Sequence, residues 1–323
     1  MPIVVGVPAL SDALVVDFTW YLPGPFASRE LARLGARVVR IEPQEGDPMR
    51  SSAPEWHDAV NAGKESVVCD LKTAAGLNLA NALCARADVV LDGFRPRVLE
   101  RLGLVVPDRA VLCSVTGFGT GNRHELRAGH DVNYLGWAGV LADTAPAMPP
   151  TQIADLAAGG LCAALEVVAA LLERERTGRG SHVVVSMTHG SHRFVAHRLK
   201  SLPERLLTGG IACYRIYATA DGRWLTVGAL EPKFWRRLCE VVGRPDLAER
   251  QFDPDQEAVA NELGAAIAEK PLAEWLDLMD GEDVSAGPVW TIEEAAGEFG
   301  FEPNGLAPTL GEHTDAWRAE LQP

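Results

Sequence analysis

The chain has 323 residues, 47% of them hydrophobic and 23% charged, the balance of an ordinary globular protein with room for two domains. Its formal net charge of −14 argues against nucleic acid or an anionic membrane as a general partner, so an anionic ligand must be met by a local group of Arg and Lys. The N-terminal MPIVVGVPALSDALVV has no basic leader and no apolar run reaches about 18 residues, which predicts neither export nor a membrane span. The six cysteines are scattered, mostly in apolar runs such as SVVCDL and AVLCSV, with no CxxC pair and no His at ligand spacing. That usage predicts reduced, buried thiols, a cytoplasmic setting and no metal.

The chain opens with ALVVDF at 13–18, a buried strand, then the Pro/Gly turn TWYLPGPFA. FASRELARLGA follows with helical spacing and a stop at Gly35, and RVVRIEP is a second strand. This strand–helix–strand unit predicts a parallel pair. The alternation continues through SVVCDLK, a helix over 74–85, ADVVLDGF, a short helix over 97–102 and AVLCSVTGFG. The pattern predicts an α/β fold, an open parallel sheet with helices on both faces and ligands at the carboxyl ends of the strands. No GxGxxG follows the first strand, which disfavours a dinucleotide. Lys64, Lys72, Arg95 and Arg101 lie at or just past strand ends, where they are either solvated surface charges or a phosphate cluster.

The stretch around which the chain is organised runs from Arg127 to Gly160, RAGHDVNYLGWAGVLADTAPAMPPTQIADLAAGG. It sets His130 beside Asp131, then places Asp155 where a long apolar helix begins, one that stops at Gly178. A carboxylate there is usually only a cap, and the helix dipole predicts a lowered pKa for it. Next come the strand SHVVVSM and a His-rich segment. His189, His192 and His197 do not match a metalloprotease motif and read as a helix surface.

From about Tyr214 the composition shifts. RIYATADGRWLTVGAL reads as a hairpin turning at Asp221-Gly222, and EPKFWRRLCEVVG as a helix with Glu231 at its cap and Pro232 at its start. A helix over 271–279 and the strand-like VSAGPVW complete a smaller α+β domain. The tail from Glu302 is expected to pack back as loop and short helix.

Several stretches together resemble the class III CoA-transferase (CaiB/BaiF) family, within it the α-methylacyl-CoA racemase branch. They are VVDFTWYLPGPFASRELARLGARVVRIEPQEGDPMR, NAGKESVVCDLKTAAG, ADVVLDGFRPRVLERLGL, SVTGFG, AGHDVNY, QIADLAAGG, LLERERTGRGSHVVVSM, YATADGRWLTVGALEPKFW and APTLGEHT. They cover most of the chain in the family's order. The resemblance implies a Rossmann-like large domain over 1–200, rejoined by 290–323, a small domain over 205–289, and an interlocked homodimer. It implies coenzyme A as part of the substrate, with no permanently bound cofactor, no nucleic acid and no membrane. Lys72 and Arg101 match positions that meet CoA phosphates or ribose, and Phe94, Arg95, Gly129 and Tyr134 fall in the matched stretches that line the CoA site. Pro43 stands where many members carry a basic residue. The segment between Met187 and Tyr214 is shorter than usual.

In transferases of this family a carboxylate at the position of Asp155 attacks the acyl-CoA carbonyl. The racemases carry GHD, here Gly129-His130-Asp131, and Glu in an EPxF motif, here Glu231. The resemblance therefore implies an acyl-CoA racemase acting at the α-carbon of 2-methyl-branched thioesters, with His130 and Asp155 as opposed acid and base whose pKa values lie within reach of neutral pH. Asp131 or Glu231 would hold the imidazole, and amides at the start of the Asp155 helix would meet the enolate oxygen. The alternatives are a CoA-transferase using Asp155 as nucleophile and a non-catalytic acyl-CoA-binding paralogue.

Overall fold

A computed structural model describes residues 7–199, 206–300 and 305–322. It divides the chain into two compact units, Met1–His197 with Glu302–Pro323, and Arg198–Phe301. The expected boundary at 205 lies outside the described residues, as does part of the shortened 187–214 segment. The return to the first unit falls at Glu302 rather than at 290. The last helix of the second unit carries Glu294, whose carboxylate pairs with Arg223 at 2.7 Å.

The first unit is built on six parallel strands, β1 (Leu14–Asp17), β2 (Arg37–Glu42), β3 (Glu65–Val68), β4 (Val89–Asp92), β5 (Val111–Thr116) and β6 (His182–Ser186). Their order is β3-β2-β1-β4-β5-β6, the doubly wound order whose reversal of direction beside β1 opens a crevice at the carboxyl ends. The strands are apolar runs because both faces are covered: Val15, Val16, Val39, Val90 and Leu91 are fully buried. The helices are α1 (Pro23–Arg33), α2 (Met49–Ser52), α3 (Pro54–Asn61), α4 (Ala74–Arg86), α5 (Val98–Leu102), α6 (Asp131–Ala138), α7 (Cys162–Thr177) and α8 (Met187–Val195). The tail adds a short helix (Thr314–Glu320) whose buried Trp317 lies under the Arg37 guanidinium at 4.1 Å.

The second unit is an antiparallel sheet β7 (Tyr214–Ala218), β8 (Trp224–Gly228), β9 (Ala286–Pro288), in that order, with α9 (Pro232–Val241), α10 (Gln256–Ile267), α11 (Leu272–Met279) and α12 (Ile292–Phe299). Its own core gathers Trp235, Leu238, Leu263 and Trp275.

Just before α7 the chain is wound more widely over Ala154–Leu161, with i→i+5 hydrogen bonding, and runs on without a break. The helix from Ala154 to Thr177 spans 24 residues at a mean hydropathy of 1.8, long and apolar enough to cross a membrane by composition alone. Glu166 interrupts the run, so no uncharged stretch of 18 residues exists there, yet the mean hydropathy passes that test. Ala163, Val167 and Leu171 bury one side of it against the sheet. Its first turns press on α1: a Cβ added to Gly160 would lie 2.8 Å from the Pro23 carbonyl oxygen and 2.8 Å from the Phe26 ring, and one on Gly159 would lie 2.9 Å from Met187 Cγ.

Replacing Gly160 by Ala gains about 1 kcal/mol of helix propensity. The overlap with backbone outweighs this, so Gly160→Ala is expected to destabilise the protein by roughly 1–3 kcal/mol in urea unfolding. An unchanged midpoint would mean that the helix can shift away from α1.

Candidate active site

The turn ahead of α6 is held tightly. The Tyr134 hydroxyl donates to the Gly129 carbonyl at 2.5 Å, and a Cβ on Gly129 would come within 2.8 Å of that ring. His130 is extended at the N-cap, and its amide donates to Asn133 Oδ1 at 3.0 Å. This leaves the His130 side chain exposed at the wall of a cavity of about 360 Å³ in the first unit. Asp131 and Asp155 line the same cavity, with Tyr21, Leu22, Met49, Trp56 and Met148 among its apolar lining. Three expected site residues from two distant segments thus meet at one cavity.

Asp131 does not hold the imidazole. Its Oδ1 accepts the Asp155 N–H at 2.9 Å and its carboxylate also takes the Ala154 N–H, so it caps the Asp155 helix from outside. The amides expected to meet an enolate oxygen are therefore already occupied. The carboxylate also changes the electrostatics in the direction opposite to that expected from the helix dipole. Burial, and then the Asp131 charge beside it, push Asp155 up to about 7. Asp131 is itself raised, chiefly by burial, against the pull of the two amides. Desolvation and a like charge both penalise the ionised carboxylate, and together they outweigh a helix terminus whose first N–H groups another acid has taken.

Glu231 belongs to the second unit, at the N-cap of α9, exposed and making no capping hydrogen bond. The expected CoA-binding residues divide. Lys72 and Arg95 are exposed just past the carboxyl ends of β3 and β4, and Arg101 is exposed on α5. Phe94 is half-buried, its amide donating to Asp92 Oδ1 at 3.0 Å and its ring 6.2 Å from Phe18. Tyr134 is buried, and burial pushes its hydroxyl up to about 12. Lys64 leaves the phosphate cluster altogether. It is 3% exposed, with Nζ donating to the Pro25 carbonyl, Ser28 Oγ and Asn61 Oδ1 at 2.7 to 2.9 Å. Burial drives its pKa well down, against the opposing pull of Asp17. Among the described residues no three His, Cys, Asp or Glu side chains gather as a metal site. His192 turns Nδ1 to the Ala138 carbonyl, and His189 sits beside Ser186 at the cap of α8.

The sequence reading missed Tyr21, Leu22, Trp56 and Met148. The available signal was a turn with adjacent aromatics, Trp20-Tyr21, at the carboxyl end of the first strand, where a doubly wound sheet places ligands.

The family model described as CoA-transferase family III matches residues 10–319. The chain belongs to that family. It is 34% identical over 309 residues to the α-methylacyl-CoA racemase of Homo sapiens, covering 88% of this chain and 79% of the relative. It is 31% identical over 316 residues to the acetyl-CoA:oxalate CoA-transferase of Acetobacter aceti, covering 88% and 81%. Among solved structures, a hypothetical protein of Mycobacterium tuberculosis aligns with a TM-score of 0.83 at 29% identity, covering 95% and 98% of the two chains. A CaiB/BaiF family protein of Brucella suis gives 0.83 at 25% identity, covering 98% and 100%. The family is enzymatic, acts on CoA thioesters and contains both racemases and transferases.

The raised Asp155 pKa has a consequence for stability. An unfolded Asp titrates near 4, so between roughly pH 4 and 7 the folded chain binds the extra proton and loses stability as pH rises. Asp155→Asn removes this penalty. The variant is expected to be more stable than wild type at pH 8 by roughly 1–3 kcal/mol, with the advantage shrinking at pH 5. Equal gains at both pH values in urea unfolding would place the Asp155 pKa in the ordinary range.

Proposed function

We propose that the protein is an acyl-CoA racemase or epimerase that exchanges the α-proton of 2-methyl-branched acyl-CoA thioesters, with His130 and Asp155 as the acid–base pair. The observation that carries this reading is a carboxyl group near pKa 7 and an imidazole on the wall of one cavity. A thioester α-proton is only weakly acidic, so its removal calls for a base that is partly ionised at working pH and an acid ready to return a proton. One of the pair takes the α-proton as the C–H electrons move into an enolate. The other then delivers a proton to the opposite face, and the pair has exchanged roles. The name of the human relative, α-methylacyl-CoA racemase, supports the choice of a branched substrate.

The enolate oxygen needs donors that the Asp155 helix no longer offers. α6 begins at Asp131, and the first amides of a helix have no partner within it. The Asp131 and Val132 N–H groups, beside His130 and on residues that line the cavity, are therefore the assigned donors, aided by the helix dipole. In this reading Lys72, Arg95 and Arg101 meet the CoA phosphates. The chain works as a homodimer; the leucines left exposed on the outer face of α7, Leu165 and Leu172, support a second copy there, and a monomer in sedimentation would overturn it.

A second reading has support in the 31% identity to the acetyl-CoA:oxalate CoA-transferase. Here ionised Asp155 attacks the acyl carbonyl and expels CoA thiolate, leaving an acyl–aspartyl anhydride that hydroxylamine would trap.

Incubation with one enantiomer of a 2-methylacyl-CoA in D2O, without an acceptor acid, tests the first reading. Deuterium should enter at the α-carbon with loss of optical purity. His130→Ala should slow this by about 10²–10⁴-fold while CoA still binds, and unchanged exchange in that variant would sink the assignment. The pair must carry one proton, so the exchange rate should be bell-shaped in pH with one limb near 7. Asp131→Asn keeps an acceptor for the Asp155 amide but removes the like charge. The limb near 7 should then move to lower pH, and a limb that stays in place would show that burial alone sets it.

A further inference from the structure

Tyr21 lies in the left-handed region with φ +63°. Glycine adopts that conformation freely and a bulky side chain rarely does, and outliers of this kind gather where a site needs them. The turn is gripped from behind. The Tyr21 amide donates to Asp47 Oδ2 at 3.2 Å, and the same oxygen accepts from buried Arg40 Nη2 at 2.8 Å. Arg40 Nη2 also reaches the Thr19 carbonyl at 3.3 Å, while Nη1 lies 3.0 Å from His57 Nε2 on α3. One buried guanidinium thus fixes both the turn that carries Tyr21 and the helix that carries Trp56.

The rings so fixed are not buried. Tyr21 and Trp56 are each 49% exposed, and both line the cavity that holds His130 and Asp155. At about 360 Å³ the cavity is near the small end of ligand sites, which span ~300–1,000 Å³, so it suits an acyl group rather than a whole CoA ester. Among the described residues no Lys or Arg lines it, whereas Asp131 and Asp155 both do. A carboxylate at the end of an acyl chain would enter beside two acids, with only the His130 imidazole to answer it.

We propose that Tyr21 is the specificity-determining residue of this cavity, its strained placement closing the wall so that a compact, uncharged acyl group is taken and an acyl group ending in a carboxylate is refused. The proposal rests on the reading of the His130–Asp155 cavity as the acyl site. It also separates this chain from relatives whose names carry dicarboxylates, such as the oxalate transferase.

The test is binding by the full chain, measured by calorimetry with CoA, 2-methylbutanoyl-CoA and 2-methylsuccinyl-CoA. Wild type should bind the uncharged thioester at least tenfold more tightly than the acidic one. Tyr21→Gly and Tyr21→Asn, both compatible with the left-handed backbone, should keep the affinity for CoA itself and lower that preference at least fivefold. Tyr21→Phe should retain it, because the ring and not the hydroxyl closes the wall. Equal binding of the two thioesters by wild type, or an unchanged preference in both the Gly and Asn variants, overturns the proposal. Deuterium exchange is read separately: preference without exchange would sink the racemase reading and leave the selectivity standing, and exchange without preference would do the reverse.

Discussion

The first unit is organised around a guanidinium that has no access to water. Arg40 sits in the middle of β2 at 0% exposure, ion-paired to Asp47 at 2.8 Å and 3.6 Å from Glu42. Burying a charge of this kind is unfavourable unless its hydrogen-bonding capacity is met, and removing one partner leaves the other uncompensated. Here most of it is met: of the guanidinium nitrogens only Nε lacks a partner. Burial works to raise the Glu42 pKa, but the Arg50 hydrogen bonds, the Arg40 charge and the Ser66 hydroxyl overcome it and hold the group at about 2. Glu42 is therefore ionised throughout the working range, and its hold on Arg50 and Arg40 does not vary with pH. A hydrophobic residue at Arg40 could match its burial. It could not reach from a strand to two loops and a helix at once.

Asp131 plays the corresponding part on the other side of the cavity with a different outcome. Its carboxylate ties the start of one helix to the start of another by accepting the Asp155 amide. The same charge makes ionisation of Asp155 harder. A positional hydrogen bond and a functional pKa come from one group, so the chemistry of Asp155 cannot be altered at Asp131 without attention to the cap.

The strands were legible because parallel strands covered on both faces read as short apolar runs; VVD, VVRI and VVLD could be little else. The position of Asp155 in a first helical turn was legible from the apolar helix behind it. What the chain did not announce depends on distance in sequence. The helix dipole is a local argument and gave the sign of the Asp155 shift wrongly, because burial by packed elements and then the Asp131 charge, 24 residues away, outweigh it. Lys64 reads as a surface lysine from its polar neighbours, and only the fold shows Pro25, Ser28 and Asn61 closing over it. α6 and α10 carry little signal: the first is only eight residues long and holds a Gly in its second turn, and the second is rich in Ala with no sharp polar face. No residue pattern marks Tyr21 as left-handed, since nothing in its side chain asks for it.

The packing of the long helix and the acidity at its tip are one feature. Ala154, Ala158, Gly159 and Gly160 are all buried, and their small size lets α1 and α8 approach the helix start closely. That approach excludes water from the neighbourhood of Asp155, and burial is the larger of the two causes that raise its pKa. Bulkier residues at these positions would hold the elements apart, admit solvent and return the carboxyl group toward its ordinary range. The small, apolar character that makes Ala154–Thr177 look like a membrane helix by composition is thus what tunes the carboxyl group at its N-terminus to neutral pH. A polar helix start would cap as well and would leave Asp155 fully ionised, a fixed charge rather than a group able to give and take a proton.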